Sequence, residues 1–248
     1  LQLAKRRSNA RLTSRVSAIT DSSQQAVSIR APVCELFYFH HRGDSPIHFK
    51  TNMYPFTATG NTKESLYKEV NLPAEFESVL INKLAAIDHR YLKDLKINIG
   101  NVLKSQTLNR KEALLIALAV AVNEKNAALI TALEELATQE GADEKELAEV
   151  TACVSLMNAN NVFYRFRHFM HKEFYDNAPA GIKMSIMVNP VLGKEFFELL
   201  SLVVSALNGC EMCVTSHEQS VLNHGGTQAR IFDAVRVGAI FKSFTVLV

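Results

Sequence analysis

At 248 residues, 48% apolar and 21% charged, the chain can bury the core of one large domain or two small ones. A formal net charge of +2 is too small to imply nucleic acid or an anionic membrane as partner. The cysteines are Cys34, Cys153, Cys210 and Cys213, too few for a secreted disulfide scaffold. Two of them form a C-x-x-C, which favours a reducing compartment, so a cytoplasmic location is expected. The longest apolar runs, Ala113 to Val122 and Leu199 to Leu207, fall well short of the roughly 18–20 residues that span a bilayer.

Residues 1–60 read as an extension, disordered or foreign to the domain that follows. Positions 1–52 carry eight Lys and Arg against three Asp and Glu, with many Ser and Thr. That composition also fits an organelle transit segment. From residue 61 to 248 the pattern is helical, with sparse Pro and Gly and abundant Ala, Leu, Glu and Lys. Helices are predicted near 63–70, 73–86, 88–104, 109–122, 124–140, 143–158, 160–173, 193–207, 210–223 and 227–244. Pro73 reads as a first-turn proline. Gly141 closes one helix, and Asp143 and Thr227 can cap the helices after them. No stretch sustains a period of two, so the expected fold class is all-α.

Segment 95–126 echoes segment 182–213 in the order of its elements. This points to a duplicated helical unit, with a degenerate copy over about 90–170 and a site-bearing copy over about 180–248. Only the second holds the cysteine pair.

That pair is where the chemistry concentrates. Cys210, Cys213 and His217 are spaced by three and four residues, so they share one face of a helix that starts after Asn208-Gly209. In a first helical turn, free backbone N–H groups and the helix dipole favour a thiolate. Glu198 lies on the preceding helix. In an antiparallel hairpin it comes within one turn of the level of His217. Glu198, His217 and Cys213 could then form a proton path, with Cys210 nearest the turn. Such a site could cleave a peroxide through a sulfenic acid, or exchange with another protein's disulfide. A zinc site using Cys210, Cys213, His217 and Glu198 or His224 is the bland alternative, and would make the chain a non-catalytic interaction protein.

Glu198, Cys210, Cys213 and His217 match an E-x11-C-x-x-C-x3-H pattern, and the chain resembles the alkylhydroperoxidase D family of the carboxymuconolactone decarboxylase superfamily. Segments 157–169, 182–190, 197–210 and 231–240 extend the likeness over roughly residues 64–248. The resemblance implies an all-helical homotrimer that reduces alkyl hydroperoxides and regenerates an oxidised AhpC-type peroxiredoxin. It implies no bound cofactor or metal, and electrons from a dihydrolipoamide-bearing (lipoyl) protein. Cys213 would form the sulfenic acid, Cys210 would donate a proton and resolve it into a disulfide, and Glu198 with His217 would relay protons. Met212 stands where some members carry histidine. A decarboxylase-like relative on the same scaffold is the enzymatic alternative; its chemistry needs a base and no cysteine pair.

Elsewhere, Cys153 is expected to be a buried structural thiol and His224 a helix-end residue. Cys34 carries no site argument. Arg165, Arg167, His168, His171 and Lys172 read as a solvated face, or as a docking surface for an acidic partner. Phe163, Phe166 and Phe169 between them read as core.

Overall fold

A computed structural model describes residues 60–248; of the predicted extension, all but Gly60 lies outside the described residues. The regular structure among the described residues is helical throughout. The helices are α1 (Gly60–Glu69), α2 (Val79–Ala86), α3 (Arg90–Val102), α4 (Arg110–Asn123), α5 (Ala127–Gln139), α6 (Glu144–Met170), α7 (Glu173–Asn177), α8 (Lys194–Leu207), α9 (Glu211–Asn223) and α10 (Gln228–Thr245). A short 3-10 turn, Ser185–Met187, precedes α8.

Two helices form the centre. α4 is buried continuously from Ala113 to Ala121 and α8 from Phe196 to Ser205, as expected of helices that are apolar around their whole circumference. They touch each other, and α6 and α10 each pack against both. α10 approaches α8 closely: a side chain at Gly238 would meet Val203 at 2.7 Å. Arg230 ties the layers together, forking onto Glu112 of α4 and Glu195 of α8 while donating to the Thr107 carbonyl.

The duplication is visible in the backbone, at a constant interval of 84 residues. α4 and α8 are each 14 residues long and begin at Arg110 and Lys194. Each is followed by a left-handed residue, Lys125 or Gly209. Next come the N-caps Asn126 and Cys210 and helices of 13 residues, α5 and α9. Gly141 and Gly225 close these helices, both at positive φ, and Asp143 and Thr227 cap α6 and α10. The alignment of 95–126 with 182–213 had the elements in the right order but was three residues out of register.

Three local expectations are corrected. The helix predicted from Pro73 starts instead at Val79, because Asn71 takes a left-handed backbone (φ 58°) and Ser78 caps the Ile81 N–H. The break expected near residue 159 does not occur; α6 runs unbroken. Its asparagines are not turn formers there, because their amides find side-chain partners on neighbouring elements: Asn158 bonds Asn123, and Asn161 bonds Ser205 and Asn208. Finally, Phe166 and Phe169 are exposed rather than core.

Candidate active site

The site sits where the α8–α9 hairpin turns. Gly209, at φ 68°, reverses the chain, a conformation a side chain would strain. Cys210 is then the N-cap of α9, Cys213 lies in its first turn, and His217 follows one turn later. α6 clamps this turn from the side. Asn161 accepts from the Asn208 amide at 2.9 Å, and Arg165 donates to the Asn208 carbonyl. Glu149, also on α6, takes the Val191 and Leu192 N–H groups at 2.8 and 2.6 Å, fixing the approach to α8.

The four residues singled out by spacing are brought together. Cys210 and Cys213 are joined as a disulfide with Cα atoms 5.3 Å apart. His217 Nδ1 lies 2.6 Å from Glu198 Oε2. Glu198 is 3% exposed and His217 8%. Burial by itself would push the Glu198 carboxyl up. The hydrogen bond from His217, then that from Lys194, and the charge of both, outweigh it and hold the carboxyl down at about 2. An ionised carboxylate only accepts, so Nδ1 is the donor and Nε2 is the ring nitrogen left for a second partner.

Cys213 and His217 line a cavity of about 370 Å³ with Asn160, Tyr164, Met184, Met187, Met212 and Ser216. Cys210 does not line it and is only 1% exposed. The two sulfurs are therefore inequivalent: one faces a chamber, the other is packed behind it. The chamber is walled largely by thioethers and an aromatic ring, so it suits a small apolar molecule.

Sequence reasoning missed several of these residues. Lys194 bonds Glu198 Oε1 at 2.6 Å and the Met187 carbonyl at 2.7 Å. It lies four residues before Glu198, a spacing at which helix side chains meet, so a local signal existed. Asn161, Arg165, Met184 and Met187 arrive from other segments, and no spacing rule announces them.

Cys153 is fully buried beside Ser201, and burial pushes its thiol up to about 12, which keeps it protonated and inert. His224 is the C-cap of α9 and bonds the Ser220 carbonyl. Among the described residues, no three His, Cys, Asp or Glu side chains converge where a metal ion could sit. No described helix is long and apolar enough to cross a membrane. Arg167 lies over Phe163 and donates to the Ala178 carbonyl, so the basic cluster is partly engaged within the fold.

This is a duplicated helical bundle with a paired-cysteine site in its second copy. The family model for the carboxymuconolactone decarboxylase family matches residues 175–247. Alkyl hydroperoxide reductase AhpD of Beijerinckia indica is 39% identical over 156 residues, covering 63% of this chain and 86% of that protein. AhpD of Coxiella burnetii is 37% identical, covering 61% and 87%, and AhpD of Anaeromyxobacter dehalogenans is 37% identical, covering 62% and 82%. A solved structure assigned as a gamma-carboxymuconolactone decarboxylase subunit of Burkholderia xenovorans superposes with a TM-score of 0.55 at 15% identity. It covers 78% of this chain and 96% of that one, and shares the fold. The chain belongs to the alkyl hydroperoxide reductase AhpD family.

Proposed function

We infer that the chain reduces alkyl hydroperoxides through a Cys210–Cys213 dithiol/disulfide cycle. The observation that carries this reading is the convergence on one apolar chamber of Cys213 and an imidazole whose far side is bonded to a buried carboxylate.

With the pair reduced, His217 Nε2 takes the Cys213 thiol proton, and Glu198 holds the ring and its charge in place. The Cys213 thiolate attacks the terminal oxygen of ROOH. The O–O bond breaks, the alkoxide takes the proton and leaves as ROH, and Cys213 becomes a sulfenic acid. The Cys210 thiol condenses with it, releasing water and closing the disulfide. An external dithiol reopens the disulfide by exchange at the sulfur facing the chamber, Cys213. A dihydrolipoamide-bearing protein is the proposed donor. The same dithiol would reduce an oxidised AhpC-type peroxiredoxin, the partner suggested by the names of the relatives. A homotrimer accompanies this reading; the exposed apolar side chains Val162, Phe166 and Phe169 offer a face suited to assembly.

The test is thiol mapping by mass spectrometry after one equivalent of cumene hydroperoxide, followed by reduction with dihydrolipoamide. The expected result is loss of two free thiols as a Cys210–Cys213 disulfide, reopened by the dithiol. Cys213→Ser should abolish turnover, and Cys210→Ser should stop at a sulfenic acid. Turnover by Cys213→Ser would overturn the reading.

A further inference from the structure

Lys194 links two parts of the site. Its ammonium donates to the Glu198 carboxylate at 2.6 Å and to the Met187 carbonyl at 2.7 Å. Met187 belongs to the 3-10 turn that walls the chamber, and Glu198 is the buried end of the imidazole pair. The helix geometry is local, since Lys194 and Glu198 are four apart on α8, while Gly193 leaves the helix start without a side-chain cap.

We propose that Lys194 is a positioning residue of the relay: it holds Glu198 ionised and aimed at His217, and pins the chamber wall at Met187 to that same carboxylate. The inference rests on the thiol-peroxidase reading and deepens it.

The chemistry requires such a group. A carboxylate buried to this degree pays a desolvation cost and tends to protonate. A protonated Glu198 could no longer accept from His217 Nδ1 as an anion, and the imidazolium formed when Cys213 gives up its proton would lose its counter-charge. His217 by itself is a poor guarantor, because its charge changes during the reaction, whereas the lysine charge is constant. Lys194 can serve because its side chain is 32% exposed, so its own charge stays partly hydrated.

The other titratable groups around Glu198 do not supply a constant positive charge. From α9 come His217 and the disulfide cysteines. From α6 come Cys153, which stays protonated, and Glu149, whose two oxygens are bonded to the Val191 and Leu192 N–H groups. Arg230 of α10 is paired with Glu112 of α4 and Glu195 of α8 instead.

The test uses the full chain and three variants: Lys194→Met, which keeps the stem and removes the charge; Lys194→Gln, which keeps a donor without charge; and Lys194→Arg. Two readouts are taken from about pH 1.5 to 8, so that the low midpoint of the unsubstituted protein falls within the range. One is the titration of Glu198 by carbon-13 NMR of labelled glutamate in the oxidised protein. The other is the rate of thiol loss after cumene hydroperoxide is added to the reduced protein. In Lys194→Met the Glu198 midpoint should rise by about one to two pH units, and the acid limb of the rate profile should move up with it. Lys194→Gln should show most of that shift, and Lys194→Arg should reverse it. An unmoved Glu198 titration in folded Lys194→Met or Lys194→Gln overturns the proposal. Should the unsubstituted protein lose no thiols to peroxide, the function reading falls, while the carboxyl titration still decides the role of Lys194.

Discussion

The two halves of the duplication share one backbone plan and differ in what they bury. At the interval of 84 residues, Glu198 corresponds to Leu114, Cys213 to Leu129 and His217 to Leu133. All three leucines are fully buried. Cys210 corresponds to Asn126, which caps α5 by accepting from the Leu129 N–H, whereas Cys210 makes no side-chain cap. The first copy is thus what the hairpin looks like when every interior position is given to packing and every helix end to capping. The second gives up apolar contacts and a cap in order to hold a carboxylate, an imidazole and two sulfurs. Interior polar groups of this kind persist only where each one is partnered. Glu198 has His217 and Lys194, and Ser205 accepts from the Asn161 amide.

The strongest way to break this comparison is to write the first copy into the second. In Glu198→Leu/His217→Leu, peroxide turnover should fall by about 100-fold or more, since positioned acid–base groups contribute roughly 10²–10⁴. The fold should survive. Replacing a buried charged pair by apolar side chains of similar size is often neutral or stabilising by about 1–4 kcal/mol. Urea unfolding of the oxidised protein, beside steady-state peroxide consumption, separates the two effects. Loss of the fold in the double variant would show that the polar pair is structural and that the halves differ for another reason.

A second prediction follows from the depressed Glu198 carboxyl. Its folded value, about 2, lies below the ordinary 4.5. The unfolded chain therefore binds this proton first as acid is added. The stability it contributes is complete above about pH 4.5 and is lost as the pH falls toward 2. The full contribution is up to about 3 kcal/mol, from a shift of this size at 1.36 kcal/mol per unit. The Leu114 half has no counterpart. The double variant should therefore lose less stability than the unsubstituted protein between pH 5 and 3, measured by denaturant unfolding at fixed salt. Equal acid sensitivity would mean that the carboxylate is not held down by its partners.

What could be read from the chain beforehand follows the same division. Helix ends were legible at Gly141, Asp143 and Thr227, because capping is a matter of a few adjacent residues. Cys210, Cys213, His217 and Glu198 were legible because their spacing carries them to one place once a hairpin is assumed. The register of the duplication was not, because the interior residues that would have anchored an alignment, Glu198, Cys213 and His217 against Leu114, Leu129 and Leu133, are those that differ between the copies. The unbroken run of α6 was hidden too. Asn158 and Asn161 look like turn formers until Asn123, Ser205 and Asn208 approach from elsewhere and occupy their amides. Phe166 and Phe169 were misread as core because helical spacing reports a face without reporting what covers it.

The smallest effect sharpens the comparison at the hairpin turns. Lys125 and Gly209 occupy equivalent positions with φ of 57° and 68°. A left-handed backbone costs a residue with a Cβ roughly 1 kcal/mol and glycine almost nothing, offset in part by the greater freedom glycine has when unfolded. Lys125→Gly should therefore stabilise the protein by a few tenths to about 1 kcal/mol, and Gly209→Ala should destabilise it by about 1 kcal/mol. Beyond its two chain neighbours, no heavy atom lies within 4 Å of where a side chain at Gly209 would begin, so the cost there is backbone strain rather than collision. The turn of the first copy tolerates that strain because it carries no chemistry. The same strain at Gly209 would act next to Cys210, so Gly209→Ala should also slow closure of the Cys210–Cys213 disulfide after peroxide. A variant that loses stability but closes the disulfide at the original rate would show that the turn sets the fold of the hairpin without setting the approach of its sulfurs.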